Sequence, residues 1–325
     1  MKLPNEDRLL AEVQLEPVQG SRFQPTGFPS LGAAEFTSIS NDTNTDCVLV
    51  ESVQSMANRL EDVCWDKEKL RLADALSGMP VITVNDKNSK FLTNSLLEAH
   101  RMNSSYMLEG SDKTLNETIK RELQIKDDGI VARIPDFARF VLRYDPNSLL
   151  HGLFLSRKEL AGGRYKMTRI LSSFIEATNV KPVVSGGVKF DFVDPSGGEA
   201  GAESGFGHIP YPRTEYSAES IVAYFNVDIS LLRSYGLSDV ANNFLFTLAL
   251  WKIRFFLKHG LRLRTACDLK IKKEIRVSQP RSMKIPDLDV LSKDVTLLIK
   301  KCKSEGLFTE KPLTVTYSAK KADKK

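Results

Sequence analysis

The sequence predicts an α+β domain of the ferredoxin-like, or RRM-like, βαββαβ kind that carries large insertions. Three observations predict it. Residues 10–16 alternate between apolar and polar side chains, as in a half-buried strand. Residues 221–229 repeat this alternation over a longer run, and a helical apolar face follows from Val240 to Phe255. In chain order the predicted elements run strand, helix, insertion, strand, strand, helix, strand.

The first predicted helix begins at Ser52, directly after a short buried strand at residues 47–50. Val53, Met56 and Leu60 then recur at helical spacing. Between the first strand and this pair lies the loop GSRFQPTGFPSLG, residues 20–32, which is rich in glycine and proline. Such a loop is typical of a catalytic or a nucleic-acid-binding segment.

The middle of the chain is predicted to be an insertion on this core. Its patterns predict helices at 90–102 and 164–177, a polar surface excursion at 111–129, a return to apolar spacing at 134–144, and a strand or hairpin at 180–193. Residues 194–216 are rich in glycine and proline without periodicity, which predicts a long functional loop.

The last helix has the clearest boundaries. Ser238 is a typical N-cap, Lys258 and His259 lie in the last turn, and Gly260 is a typical stop. A final strand is predicted at residues 271–277, where apolar side chains share one face.

Composition indicates a soluble globular protein, with 42% hydrophobic and 27% charged residues in a chain of 325. The charged N-terminus does not resemble a signal peptide, and the longest apolar run, Phe244–Trp251, is too short to span a membrane. The four cysteines are far apart and form no CxxC pair, which favours a reducing cytoplasm.

Positive charge is concentrated in residues 251–276, which hold nine lysines or arginines against Asp268 and Glu274. The rest of a chain with net charge +5 is therefore slightly acidic. This basic stripe indicates either a polyanion partner or a solvated helix face with edge-strand lysines.

The sequence contains no phosphate-binding loop, no nucleophile elbow and no HExxH motif. Its four histidines lie in separate segments, so no metal, cofactor or catalytic residue is predicted. The remaining candidates are polar and basic. Ser52, Gln54 and Ser55 suit a phosphate at a helix start, or ordinary N-capping.

Two further groups of residues have both a binding and a structural interpretation. Arg22 and Phe23 suit a phosphate and an unpaired base, unless Phe23 and Phe28 simply pin the loop to the core. Arg262 and Arg264 share one face of an extended segment, where they contact phosphates or only solvent.

Several segments in this order resemble the backbone subunit of the type I-G (formerly I-U) CRISPR interference complex, a Cascade-type effector. That family belongs to the repeat-associated mysterious protein superfamily. The segments are GSRFQPTGFPSLGAA, VESVQSMANRLEDVCW, LEAHRMNSSY, RYDPNSLLHGLFL, SGGVK and ALWKIRFFLKHGLRLRTACDL, and they span Leu9 to Leu269.

The resemblance implies an RRM-like palm with a finger-like insertion and a thumb loop or hairpin. It implies a single elaborated domain over 1–325, with palm about 9–64 and 178–278, fingers about 65–177, thumb about 190–216, and a C-terminal helical segment with a basic tail at 284–325. It implies a non-catalytic role, in which several copies polymerise along one guide RNA (crRNA) and support its pairing with target DNA in antiviral defence.

By resemblance, the guide contacts lie in the loop Gly20–Thr26, at the helix start Ser52–Arg59, and in other matching segments. The predicted contacts are Ser21, Arg22, Phe23, Gln24, Thr26, Ser52, Gln54, Ser55, Asn58, Arg59, His100, Arg101, Lys189, Arg262 and Arg264. Candidate thumb wedges between bases are Phe206, Ile209 and Tyr211.

The partners implied are the guide RNA, further copies of the chain, the large Cascade subunit, the fused guide-end and guide-processing subunit, and the complementary DNA strand, with no membrane. The alternative function is a metal-dependent ribonuclease of the type III backbone kind that uses Asp42 or Asp46. The loop 18–36 contains no Asp, unlike the cutting loop of that family, so the resemblance favours binding.

Overall fold

The structure is a computed structural model that describes residues 1–28, 30–40, 43–125, 133–160, 164–196 and 202–318. Its strands are β1 (Arg8–Pro17), β2 (Arg22–Phe23), β3 (Gly27–Phe28), β4 (Gly32–Ala33), β5 (Glu35–Ser40), β6 (Thr43–Glu51), β7 (Trp65–Asp66), β8 (Arg71–Leu72), β9 (Thr83–Asn85), β10 (Phe91–Asn94), β11 (Leu153–Leu155), β12 (Tyr165–Met167), β13 (Leu171–Lys189), β14 (Ile209–Asp228), β15 (Arg262–Arg264), β16 (Cys267–Ile271), β17 (Arg276–Gln279) and β18 (Thr314–Thr316). Its helices are α1 (Val53–Asp62), α2 (Ser105–Leu108), α3 (Thr114–Glu122), α4 (Ile134–Tyr144), α5 (Pro146–His151), α6 (Ile229–Ser234), α7 (Asp239–His259) and α8 (Leu288–Ser304).

The central sheet is antiparallel and has the order β15-β16-β1-β14-β13-β6-β5, with β17 also on β1 and β2 on β14. Four of these strands correspond to the predicted βαββαβ series. The first predicted strand is β1, the second is β13, the third is β14 and the last is β16. β6 adds outside β13, because residues Cys47 to Glu51 pair with residues 175–178. The fold is therefore α+β, as predicted, with two extra strands at one edge of the sheet.

One face of the sheet is buried, as the alternation of residues predicts. In β1, Leu9, Ala11, Val13 and Leu15 are buried, whereas the residues between them are partly exposed. β14 repeats the pattern from Ile221 to Val227. Helix α1 contacts β13, α7 contacts β14, and α8 packs on α7.

Helix α7 has the predicted ends. The Ser238 Oγ accepts a hydrogen bond from the Ala241 amide at 3.3 Å, and the helix stops at Gly260. α7 is long and apolar enough to cross a membrane, but 78% of its most apolar 18-residue window is buried inside the protein, as in a core helix. Helix α1 confirms the prediction made from apolar spacing, and the apolar segment 134–144 forms α4.

Two predicted helices are wrong. Residues 164–177 form β12 and the start of β13, where Leu171, Ser173, Ile175 and Ala177 are buried in alternation against β14. Strand pairing outweighs the helical spacing there, because it buries every second side chain in the central sheet. Residues 90–102 form β10, a turn and the start of a 3₁₀ turn instead of a helix.

Three other segments differ in extent. The polar excursion at 111–129 contains α3, which buries Leu115 and Ile119. The final strand is split into β16 and β17 around residues 272–275. Part of the predicted loop 194–216 is strand, since β14 begins at Ile209.

β13 and β14 form a long hairpin that projects beyond the sheet. β13 pairs with β6 only between Ile175 and Thr178, whereas its pairing with β14 continues to Lys189 opposite Ile209. We call residues 183–196 and 202–215 the projecting hairpin. A β-carbon at Gly187 would lie 2.7 Å from the Tyr211 hydroxyl oxygen, so a larger residue there requires the Tyr211 side chain to move.

We expect Ser238→Ala to lower the free energy of unfolding by about 1 kcal/mol, because the Ala241 amide at the start of α7 loses its acceptor. Urea unfolding measures this change. Ser238→Asp restores an acceptor and is expected to keep most of the stability. Equal losses in both variants would contradict the capping role.

Candidate nucleic-acid interface

The buried carboxylate of Glu51, at the end of β6, joins three of the predicted guide contacts. Glu51 is fully buried, and its Oε1 lies 2.8 Å from the Arg59 guanidinium. Arg264 donates to the same oxygen, and the Ser55 hydroxyl donates to Oε2. The two arginines therefore have an internal counter-charge.

The same arginines also bind backbone carbonyls. Arg59 donates to Leu263 O at 2.6 Å, and Arg264 donates to Gln24 O at 2.7 Å and Val50 O at 3.2 Å. These bonds connect β6, α1, β15 and the loop after β1. Arg59 and Arg264 are thus structural in this geometry, with only about a quarter of each side chain exposed.

The loop after β1 is anchored to the sheet rather than open. Arg22 and Phe23 form β2, opposite Ser217 and Tyr216 of β14. Phe23 is 1% exposed, so its ring is not available to stack on a base. The pinning alternative holds for Phe23 but not for Phe28, which is 65% exposed. Strand pairing buries Phe23 because it points to the core face of the sheet.

Other residues of the loop remain accessible. Arg22 keeps 55% of its side chain exposed, although it lies 3.4 Å from Glu215. Ser21 is exposed, and Gln24 and Thr26 are half-buried. The amides of Gln24 and Thr26 donate to Ala266 O and Val50 O, which fixes the backbone of the loop.

The start of α1 combines capping with exposed polar groups. The Ser52 Oγ accepts from the Ser55 amide at 3.1 Å, which is ordinary N-capping. Gln54 and Asn58 are exposed on the same helix. The hydroxyls of Ser52 and Ser55 are therefore already hydrogen-bonded, whereas the side-chain amides of Gln54 and Asn58 are accessible to a ligand.

Three adjoining cavities lie beside α1. The Arg262 cavity, about 1040 Å³, is lined by Arg59 and Arg262 together with aromatic residues of α7. The Asn58 cavity, about 360 Å³, shares Arg59 and Asp62 with the first. The Arg169 cavity, about 430 Å³, shares Ala99 with the second.

The cavities bring together predicted residues that are distant in sequence. The Arg262 and Asn58 cavities contain Ser55, Asn58, Arg59 and Arg262, and the Arg169 cavity contains His100 and Arg101. Ser21, Arg22, Gln24 and Thr26 line none of the three, and Lys189 lies on the projecting hairpin.

The basic stripe at 251–276 is largely neutralised by tertiary contacts. Lys252 is fully buried, and Arg254, Arg264, Lys270 and Arg276 each pair with a carboxylate. The solvated-face interpretation therefore fails for Lys252, which lies in the core, but describes the exposed Lys258, Lys272 and Lys273. The remaining cations of the stripe include Arg262, which is exposed and pairs with no carboxylate of the described ranges.

Arg101 belongs to a second buried ionic cluster. Its guanidinium binds both oxygens of Glu61 at 2.7 Å, and Asn147 donates to Glu61 at 2.6 Å. Asn147 in turn accepts from Lys252, which also lies 2.9 Å from His151 Nε2. Arg101 is therefore half-buried in a network that links α1, α5 and α7.

Burial controls protonation in this cluster. It raises the pKa of Asp145 to about 6, and nearby Glu61 acts in the same direction. It also holds the pKa of His151 well below its usual value, with Lys252, Arg101 and Arg169 adding to the effect. His151 is thus neutral at physiological pH.

The projecting hairpin carries an exposed apolar group at its end. The three predicted wedge candidates are about half exposed, at 49% for Phe206, 41% for Ile209 and 49% for Tyr211. The predicted candidates did not include Phe192 and Val193, which are 90% and 96% exposed, or the exposed Phe190. The alternating aromatic run KFDFV at 189–193 was the available signal.

Within the described ranges, no three His, Cys, Asp or Glu side chains are grouped to hold a metal ion. Asp46 is exposed on β6. Asp42, the other residue of the ribonuclease alternative, lies outside the described residues.

Comparison with known proteins defines the class. Residues 9–182 match the family model described as CRISPR-associated protein GSU0053 (Cas_GSU0053), which is more than half of the chain. The protein is therefore a CRISPR-associated protein, and the chain belongs to the Cas_GSU0053 family. No curated protein matches it.

Two solved structures show weak similarity. A CRISPR RNA-guided surveillance complex, pre-nicking, has a chain with 12% identity and a TM-score of 0.39, covering 81% of this chain and 74% of its own. The crystal structure of Thermofilum pendens Csc2 gives 8% identity and a TM-score of 0.33, covering 93% of this chain and 76% of its own. Similarity at this level supports no statement about function.

We expect Glu51→Gln to destabilise the protein by about 3 kcal/mol, because Arg59 and Arg264 lose a buried counter-charge. The free energy of unfolding in urea measures this. Glu16→Gln is the matched control, since it breaks an exposed pair with Lys270 and is expected to cost under about 1 kcal/mol. A loss no larger than that of the control would refute the anchoring role of Glu51.

Proposed function

We propose that this chain is a non-catalytic, guide-RNA-binding backbone subunit of a type I-G CRISPR interference complex. Membership of a CRISPR-associated family over residues 9–182 is the observation that carries the proposal. In this proposal several copies of the chain polymerise along one guide RNA in the cytoplasm. The protein holds the backbone of the guide, while base pairing with the target DNA strand reads the sequence.

The strand order supports a ferredoxin-like palm. The order β16-β1-β14-β13 is that of a βαββαβ sheet, and α1 and α7 contact β13 and β14. The fingers then correspond to the segment between α1 and β13, which is shorter than expected because β13 begins at Leu171. We assign the projecting hairpin as the thumb.

The exposure of the polar and basic residues divides the predicted contacts into those that meet the guide RNA directly and those that hold the protein backbone. Direct contacts with guide phosphates are assigned to exposed residues on the loop, on α1, on the projecting hairpin and around the cavities. These are Ser21, Arg22, Gln54, Asn58, His100, Lys189 and Arg262. Ser52, Ser55, Arg59, Arg101 and Arg264 hold the backbone that presents them.

The exposed apolar end of the projecting hairpin supports a wedge between bases. Exposed apolar groups of this size mark interaction sites. Phe206, Ile209 and Tyr211 stay candidates, and the exposure of Phe190 and Phe192 adds these two rings. The further partners in this proposal are the large subunit and the fused guide-end and guide-processing subunit.

We expect Arg22→Gln/Arg262→Gln to weaken binding of a synthetic guide RNA roughly tenfold at 150 mM salt, because two phosphate contacts are lost. The slope of log affinity against log salt should become less steep by about 1.4. Fluorescence anisotropy across a salt series measures both quantities.

The control is Lys301→Gln/Lys311→Gln, which removes the same charge from two exposed positions outside the three cavities. Equal slopes in the two double variants would show that Arg22 and Arg262 act only through net charge.

We expect no cleavage when the assembled complex is incubated with complementary RNA and Mg²⁺. Gel electrophoresis of end-labelled RNA is the measurement. Regularly spaced products that disappear in Asp42→Ala or Asp46→Ala would instead establish the ribonuclease alternative.

A further inference from the structure

The Arg169 cavity has an unusual distribution of charge. It lies between the 3₁₀ turn Arg101–Asn103, the end of α5 and the β11–β12 hairpin. Its lining contains Arg101, Lys166, Arg169 and two histidines, but no carboxylate. Positive charge lining a concave site attracts anions.

Arg169 has no counter-charge of its own. Its guanidinium is half-buried and donates only to carbonyls, those of Val53 at 3.1 Å and His151 at 3.4 Å. None of the carboxylates in the described ranges pairs with it. Burial and then the neighbouring Arg101 lower the pKa of Arg169, while nearby Glu61 acts in the opposite direction.

His151 supplies a buried donor without a partner. Its side chain is 2% exposed and lines the cavity, and its Nδ1 has no hydrogen-bond partner. The Lys252 ammonium, 2.9 Å from Nε2, can only donate, so Nε2 accepts. The neutral ring therefore carries its proton on Nδ1, which leaves one N–H to be satisfied.

The backbone around the cavity is closely packed. Gly152 has φ +88°, and a β-carbon there would lie 3.2 Å from the Met167 carbonyl oxygen and 3.5 Å from the backbone nitrogen of Arg169. The absence of a side chain lets the end of α5 approach the β12–β13 turn. The volume of about 430 Å³ is enough for a sugar-phosphate unit.

We propose that the Arg169 cavity binds a phosphate group, which Arg169 and Lys166 neutralise and to which the His151 Nδ1–H donates. The assignment of that phosphate to the guide backbone rests on the proposed function. The Asn58 cavity adjoins at Ala99, so a strand held along α1 continues into this site. A free nucleotide is the other source of the same chemistry.

The test compares Lys166→Gln, Lys166→Arg and Arg169→Gln in the full chain. Lys166 is exposed on β12, so its loss is expected to leave the fold intact, whereas Arg169 also binds two carbonyls. Lys301→Gln on α8 is the matched control for charge. Each variant is titrated with synthetic guide RNA, AMP and inorganic phosphate.

If the guide supplies the phosphate, Lys166→Gln weakens guide binding roughly fourfold at 150 mM salt and reduces the salt slope by about 0.7. Lys166→Arg restores both, and Lys301→Gln changes neither. Binding also moves the His151 Nδ1 proton resonance downfield in NMR spectra, which a purely structural role of Lys166 would not cause.

If the wild-type chain binds no guide RNA, the proposed function fails separately. The proposal for the Arg169 cavity is still supported if AMP or phosphate binds the wild-type chain, moves the His151 resonance, and binds Lys166→Gln more weakly. The proposal is overturned if Lys166→Gln matches the wild type with all three probes, or if no probe moves the His151 resonance.

Discussion

The Glu51 carboxylate lies where β6, α1, β15 and the loop after β1 meet, and it is fully buried. A buried charge is tolerated only when it is paired and hydrogen-bonded. Ser55 and Arg59 from α1 and Arg264 from β15 satisfy this requirement. Because Arg264 also binds the Gln24 carbonyl and Arg59 binds the Leu263 carbonyl, this carboxylate helps to hold the loop and β15 in place.

This constraint changes which cations face a ligand. A count of lysines and arginines marks residues 251–276 as a strong basic stripe, yet Arg264 neutralises Glu51 and Lys252 lies in the core. Exposed positive charge is found instead at Arg22, Arg262 and Lys166, and the lining of the Arg169 cavity contains no carboxylate. The surface that meets an anion is thus built from residues far apart in sequence.

The parts of the fold that local patterns predicted are those with strong local causes. The alternation in β1, the cap at Ser52 and the ends of α7 depend on neighbouring residues, and all three are confirmed. Residues 164–177 were wrongly predicted as helix, because their strand is stabilised by pairing with β14, more than forty residues away. Some of the predicted contact residues lie along α1. The predictions did not include Lys166 and Arg169, which line the Arg169 cavity, or the exposed Phe192.

By itself the sequence determined the α+β class, the helices α1 and α7, and the resemblance that led to the CRISPR-associated family. These depend on residue order and on spacing within single elements. Only the tertiary structure decided that Phe23 is buried, that Arg59 and Arg264 have an internal counter-charge, and that Arg169 has none. Burial and ion pairing are properties of contacts between distant segments, so no local pattern in the chain encodes them.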